Sequence, residues 1–236
     1  MQRSFYQQIE TRFSTERLAA YAMPAAGAPP DPAVTLARYL LNMALCESLY
    51  SPLQLCEIAL RNAIHQQLTR LMGRDDWFAD PQFQLTLWAE EEVRKAKVKI
   101  TKTRKPVTAG RVVAELQFGF WTSLFEAHYE QRTPFLPAGL KGVFPHLPKS
   151  LHHRKDRKHD LETIRTLRNR VFHHERIIHW KDLDAQHNLI LQVIAWISPE
   201  LRQMADALDR FHALRAGGLT PWLEKIALHW PVPPAP

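Results

Sequence analysis

Apolar residues recur along this chain at intervals of three and four positions, in runs separated by prolines. That spacing places the apolar side chains on one face of an α-helix. Only 8 of the 236 residues are glycine, and runs in which β-branched residues alternate with polar ones are few. The sequence therefore predicts an all-α fold, with helices joined by turns at the prolines.

Helix start and stop signals divide the chain further. Ser14 is placed to begin a short helix, and Ser51-Pro52 has the form of an N-cap followed by proline at the first helical position. A helix over residues 33–49 should therefore end before a second one that runs to Gly73. Further helices are expected over residues 81–100, 108–125, 154–174, 183–197 and 199–214, and from 220 onward.

The chain shows neither an internal repeat nor a clear domain boundary. We expect a single domain over residues 1–236, with an N-terminal arm over 1–32 and a flexible proline-rich tail over 231–236. Neither an apolar run of about 18 residues nor an apolar signal region is visible, so we expect a cytoplasmic protein without a membrane partner. Cys46 and Cys56 fit a reducing compartment, as small buried hydrophobes.

The net charge of +7 and the pI near 9.6 favour a polyanionic partner such as RNA. Two basic clusters are candidates for phosphate contacts, although runs of charge are also typical of ordinary solvated helix faces. No aromatic residues are interleaved with them as in an RNA-recognition motif, so sequence-specific reading of single-stranded bases is not indicated. The candidate RNA-binding residues are Lys95, Lys97, Lys99, Lys102, Arg154, Lys155, Arg157 and Lys158.

The segment LRNRVFHHE, residues 167–175, carries the most specific pattern. On a helix with about 100° per residue, Leu161, Ile164, Leu167 and Val171 form one apolar stripe. Arg168 falls inside this stripe, where a cation is costly unless it is paired or faces a cavity. A structural ion pair with a carboxylate, for which Glu57 is the candidate, is one interpretation of Arg168, and a functional cation is the other.

The same helix wheel separates the two histidines of the segment. Asn169 and His173 are an i, i+4 pair on the side away from the apolar stripe, and His174 lies on the opposite flank. His173 could be an ordinary exposed histidine near a helix C-terminus. Together with Arg168, however, it places a permanent cation and a group that titrates near pH 7 on one short segment.

A second set of polar residues lies on the preceding long helix. Glu57 and Arg61 are spaced as a helix-surface ion pair, and Asn62 follows directly. Glu57, Arg61 and Asn62 are either this surface pair with a polar neighbour or secondary support for the motif helix. The chain has 12 histidines but neither an HExxH nor a CxxC motif, so we expect no metal ion and no other cofactor.

The order R-N-R-V-F-H-H-E resembles the signature of the HEPN superfamily, in which a polar residue follows an arginine and a histidine comes a few residues later. More narrowly, the chain is similar to the Abi-like (abortive infection) family of bacterial HEPN proteins. Leu41 and Arg176 depart from the family pattern, at positions where an aromatic residue and a proline are usual. The matching blocks are RLAAY at 17–21, CEIALRNAIHQQL at 56–68, LQFGFWTSLF at 116–125 and LRNRVFHHERI at 167–177.

The resemblance implies a HEPN-like helical bundle with additional helices and a homodimer in which two motif helices form one composite site. It also implies metal-independent cleavage of RNA by its own 2′-hydroxyl. His173 would act as general base or acid, with His174 as the alternative, Arg168 would neutralise the transition state, and Asn169 would orient the histidine or a phosphate oxygen.

Such an endonuclease would act in abortive-infection defence against phages, or as a toxin with an antitoxin protein as a further partner. Transfer RNA and messenger RNA are equally compatible targets. The alternative, from a different functional class, is a non-catalytic helical module that binds RNA or nucleotide through the same basic surface.

Overall fold

The computed structural model describes residues 3–23, 29–132 and 138–229. Within these ranges the fold is all-α, as predicted, without a β-strand and with short 3₁₀ helices at Trp77–Ala79 and Lys149–Leu151. The α-helices are α1 (Arg3–Phe13), α2 (Thr15–Ala19), α3 (Pro32–Met72), α4 (Leu87–Lys102), α5 (Ala109–Glu115), α6 (Phe118–Ser123), α7 (His128–Arg132), α8 (Ala138–Val143), α9 (Arg154–Phe172), α10 (Leu183–Ile197), α11 (Pro199–Leu208), α12 (Phe211–Gly217) and α13 (Thr220–His229).

The chain divides into two compact units. Unit 1 contains the described residues of 1–50, 170–184 and 209–236, and unit 2 those of 51–169 and 185–208. The long helices α3 and α9 contribute residues to both units. The tail predicted over 231–236 lies outside the described residues. In the ranges that the structure describes, no helix combines the length and the apolar character needed to span a membrane.

The core of unit 1 forms around buried residues of α2, α3 and α13, among them Leu18, Leu36 and Ile226. The ring of Tyr21 lies edge-on to that of Tyr39, with centroids 5.1 Å apart, an arrangement that adds about 0.5–1.5 kcal/mol to the burial itself. Part of the predicted N-terminal arm is therefore built into this core.

Aromatic side chains dominate the core of unit 2. Trp77, in a 3₁₀ helix, packs edge-to-face against Phe83 at 5.0 Å between centroids. It also packs against Trp121 of α6, at 6.2 Å. Both tryptophans are fully buried. The FGFW block at 118–121 thus supplies core residues, and its buried aromatic side chains form the apolar face of α6.

Helix α3 runs through Pro52 without a break, so the predicted helix start at Ser51-Pro52 is wrong. An interior proline costs about 3 kcal/mol, because it lacks an N–H donor and its ring crowds the preceding turn. Burial on both sides of the proline offsets this cost: Leu45, Leu49, Leu53 and Leu60 are all buried. The apolar face continues in register past Pro52, so packing overrides the local signal.

Three other predicted helices have different bounds in the structure. The one predicted over 81–100 begins only at Leu87, where the Thr86 hydroxyl accepts a hydrogen bond from Ala89 N (3.2 Å). The one over 108–125 is interrupted by extended backbone at Leu116 and Gln117. The one over 199–214 breaks where the Asp209 carboxylate accepts from Phe211 N, at 3.0 Å, because this side-chain bond competes with the helical ladder.

Candidate functional site

Helix α9 presents the apolar stripe that its spacing predicts. Leu161, Ile164, Leu167 and Val171 are all buried, and Asn169 is exposed. Arg168 follows Leu167 directly and is half-buried. Arg168, which the helix wheel places inside this stripe, is thus only partly withdrawn from solvent.

Arg168 is paired with Glu57 inside unit 2. The Arg168 Nε–H donates to Glu57 Oε2 at 3.2 Å, and the two side chains keep only 24% and 20% of their surface exposed. The predicted ion pair is thus confirmed. A charge-assisted bond in such a partly desolvated setting is stronger than a surface ion pair, so it orients the guanidinium.

Arg61 and Asn62 lie one turn beyond Glu57 on α3. Among the described residues Glu57 pairs with Arg168 and not with Arg61. Arg61 instead donates its Nε–H to Asn62 Oδ1 at 3.4 Å, and Asn62 is exposed. The surface-pair interpretation is therefore wrong, and both residues stay secondary candidates.

The motif helix ends at Phe172, two residues earlier than predicted. His174 has a left-handed backbone, with φ of 57°. Its N–H donates to Val171 O at 3.1 Å, and that of Glu175 donates to Arg170 O at 2.9 Å. These two bonds form a Schellman cap. The helix wheel consequently does not apply to His173 and His174, which lie in the turn, both exposed.

Two arginines hold the segment after α9 within unit 1. Arg17 Nη2 donates to the His174 carbonyl at 2.6 Å. Arg176 donates from Nη1 to the Ala20 carbonyl. The RLAAY block therefore has a structural role here: it fixes the backbone of the histidine turn.

Asn42 positions the segment after α9, a role that was not predicted from the sequence. It is 97% buried on α3. Its Oδ1 accepts from the backbone N–H groups of Ile177 (2.8 Å) and Ile178 (3.1 Å), and its Nδ2 donates to Glu175 O (3.3 Å). An asparagine inside the apolar run of α3 was the available signal, since a buried amide needs hydrogen-bond partners.

The first basic cluster lies on α4, in unit 2. The Lys97 ammonium stands over the Phe78 ring, 5.5 Å from its centroid, whereas Lys102 is exposed. Lys95 is paired with Glu92 and Lys99 with Glu115. Because surface pairs of this kind are worth little, these lysines can exchange a carboxylate for a phosphate.

The second cluster divides into buried and exposed members. Arg157 is only 5% exposed, pairs with Asp160 at 2.8 Å and lies 4.5 Å from the Trp196 ring centroid. Arg154 donates to the Phe125 carbonyl at 2.9 Å. Because Arg157 is buried, its guanidinium is not accessible to a phosphate group of RNA, and we exclude Arg157 from the proposed RNA contacts.

Lys155 and Lys158 are the members of this cluster that reach solvent. Lys155 is exposed, and the Lys158 Nζ lies 3.9 Å from a Glu126 carboxylate oxygen, a loose surface contact. These two lysines stay candidates for phosphate contacts.

The cysteines do not fit a nucleophilic role. Burial raises the pKa of Cys46 to about 11, and burial together with the charge of Glu57 raises the pKa of Cys56 to about 12. Both thiols are therefore protonated at neutral pH, whereas a catalytic cysteine acts as a thiolate.

The predicted catalytic residues fall into two sets. Arg168 and Asn169 belong to unit 2, and His173 and His174 belong to unit 1.

No family model, curated protein or solved structure matches this chain.

Proposed function

We propose that this chain is a metal-independent RNA endonuclease of the HEPN type, with Arg168, Asn169 and His173 as its catalytic groups. One observation carries the proposal. Asn169 is exposed on α9 directly after an arginine whose orientation is fixed by Glu57, and His173 is exposed in the turn that follows this helix. A cation, an amide and an imidazole that lie this close in sequence are the groups that phosphodiester cleavage requires.

The reaction would use the nucleophile that RNA itself contains. The 2′-oxygen forms a bond to the adjacent phosphorus while the bond from phosphorus to the 5′-oxygen breaks. One imidazole takes the proton of the 2′-hydroxyl, and an imidazolium gives a proton to the departing 5′-oxygen. The products are a 2′,3′-cyclic phosphate and a 5′-hydroxyl end. Arg168 would stabilise the negative charge on the phosphorane, and Asn169 would bind a phosphate oxygen or orient the imidazole.

This chemistry needs a base and an acid at the same time, and this requirement supports a dimer. One His173 can hold only one of these roles in a single turnover. A second copy of the chain would supply the other imidazole, as the composite site of the HEPN resemblance implies. His174 of the same turn is the alternative second group.

Incubation of the purified protein with total RNA in EDTA tests the proposal. We expect cleavage that leaves 2′,3′-cyclic phosphate ends, and a rate that falls about 10²- to 10⁴-fold in His173→Ala, the usual contribution of a general acid or base. Thr166→Ala, at an exposed position on the same helix, is the matched control and should cleave normally. Equal cleavage by His173→Ala would contradict the assignment of His173.

The alternative function has a distinct outcome in the same experiment. A non-catalytic module would bind RNA or nucleotide, in the wild type and in His173→Ala alike, without generating new ends. Binding without cleavage would therefore replace the endonuclease by an RNA- or nucleotide-binding protein.

The proposed biological setting is abortive-infection defence or a toxin–antitoxin pair, with transfer RNA or messenger RNA as the target and an antitoxin as partner. Expression in a bacterial host should then be toxic, and Arg168→Ala or His173→Ala should relieve the toxicity. If both variants remain as toxic as the parent at equal protein level, the motif is not the cause.

A further inference from the structure

Helix α4 carries an exposed tryptophan that the fold leaves largely uncovered. Its inner face is formed by Ala89, Val93, Ala96 and Ile100, all buried. Trp88, beside this face, retains 49% of its surface exposed. Tryptophan carries the largest apolar side chain, and an indole that stays this exposed contributes less to the core than its size would allow.

Trp88 lies on the same face of α4 as three lysines. Residues 88, 92, 95, 99 and 102 follow one another at intervals of four and three, which places them along a single stripe of the helix. With a rise of about 1.5 Å per residue, the stripe is about 21 Å long. It begins with the indole and continues with Glu92, whose partly buried carboxylate pairs with Lys95, and then with Lys95, Lys99 and Lys102.

The stripe carries three lysines and one glutamate, Glu92, so its charge favours a polyanion. From Val93 to Lys105 the chain has seven lysines and arginines and no acidic residue. The ammonium groups of Lys95 and Lys99 are ion-paired, yet their side chains remain 59% and 71% exposed. A phosphate can displace the carboxylates at low cost, because exposed ion pairs contribute about 0–1 kcal/mol.

We infer that Trp88, Lys95, Lys99 and Lys102 form a docking surface for single-stranded RNA. The indole would stack on an unpaired base, and the lysines would contact successive phosphates. Trp88 comes before the basic run in sequence, so no interleaving of aromatic and basic residues is visible there. The helix brings it onto the lysine stripe. The inference rests on the proposed function, because it specifies the RNA that the chain would cleave as single-stranded.

Binding of a fluorescently labelled single-stranded RNA to the full chain, measured by anisotropy in EDTA, tests this surface. The RNA carries 2′-O-methyl groups, which prevent attack by the 2′-oxygen and separate binding from cleavage. We expect Trp88→Ala to weaken binding about 5- to 150-fold, the loss of one base–aromatic stack. Trp88→Phe should retain most of the affinity.

The lysines are tested by the dependence of binding on salt. Each removed phosphate contact should reduce the slope of log K against log salt by about 0.7 for a single strand. We therefore expect a shallower slope for Lys95→Ala, Lys99→Ala and Lys102→Ala, and an unchanged one for Leu87→Ala. Leu87 is the matched control, since it is 86% exposed at the start of the same helix.

Three results would overturn the inference. The first is affinity of Trp88→Ala within twofold of the wild type, with normal thermal unfolding in both. The second is a loss of affinity of Trp88→Ala for duplex RNA as large as its loss for single-stranded RNA, because the bases of a duplex are not available for stacking on the indole. The third is binding to vesicles of anionic lipid, or self-association in sedimentation, that depends on Trp88 while RNA binding does not. A failure of cleavage with Trp88-dependent binding intact would contradict the proposed function and leave this surface standing.

Discussion

Arg168 and Glu57 form an ion pair in unit 2 that includes a hydrogen bond of 3.2 Å from Nε to Oε2. Their chain positions are 111 residues apart, so the bond ties α9 to α3. A structural role and a catalytic role for Arg168 are compatible, because a guanidinium has five N–H donors in a fixed plane and the pair orients that plane. The carboxylate would position the cation that the proposed reaction needs.

Replacement of Glu57 should therefore cost more stability than that of a surface carboxylate. We expect Glu57→Gln to lower the free energy of unfolding by about 1–3 kcal/mol, between the values for exposed and fully buried ion pairs. Glu91→Gln, which removes an exposed pair with Arg94, is the control. Urea unfolding measures both. Equal effects of the two substitutions would show that the Glu57 pair contributes no more than a surface pair.

Replacement of His174 by glycine should stabilise the protein. The left-handed conformation at φ 57° costs a residue with a Cβ about 1–2 kcal/mol, and glycine adopts it without that cost. The backbone bonds of the cap and the bond from Arg17 to the carbonyl do not need the imidazole. We expect a higher melting temperature for His174→Gly.

The same variant separates the two histidines functionally. If His173 is the catalytic group, His174→Gly should cleave RNA at close to the wild-type rate and His173→Ala should not. Loss of cleavage in His174→Gly with raised stability would assign the chemistry to His174, because misfolding could not explain it.

Asn42 should control the order of the segment after α9. Removal of its amide by Asn42→Ala leaves the buried N–H group of Ile177 and the partly buried one of Ile178 without their side-chain acceptor, at an expected cost of about 2–4 kcal/mol. Hydrogen–deuterium exchange at these two amides should accelerate. Ser48→Ala, a buried polar change on the same helix, is the control. Unchanged exchange at both amides would show that Asn42 does not order this segment.

Local features of the fold could be predicted from the sequence. The apolar spacing of Leu161, Ile164, Leu167 and Val171 gives the buried face of α9 directly, since helical periodicity depends only on near neighbours. The ion pair of Arg168 and Glu57 could also be predicted from the sequence. A cation on an apolar stripe requires a partner, and few carboxylates lie on an apolar flank.

Features that depend on distant residues could not be predicted in the same way. The cap at His174 uses a non-glycine residue in a left-handed conformation, so it lacks the usual sequence signal. The bonds of Asn42 join positions more than 130 residues apart. At Pro52 the local sequence signal for a helix start is wrong, because the burial of apolar residues before and after the proline keeps α3 continuous.

His65 should make stability depend on pH. Its Nδ1 accepts a hydrogen bond from Nε1 of the fully buried Trp77 at 3.0 Å, which requires an unprotonated Nδ1. Burial lowers the pKa of His65 below its ordinary value of 6.5, against a smaller opposing effect of Asp75. The unfolded chain consequently binds more protons between the lower folded pKa and 6.5. This contribution to stability is complete above 6.5 and is lost as the pH falls through the folded pKa.

Urea unfolding at about pH 7.5 and about pH 5.5 measures this dependence. His65→Asn keeps an acceptor near Nδ1 and cannot titrate, so its stability should fall less on acidification. Burial also lowers the pKa of His179, with help from Arg176 and Arg170. That contribution is common to both proteins and cancels in the comparison. Parallel pH profiles for the wild type and His65→Asn would show that the bond to Trp77 does not respond to pH.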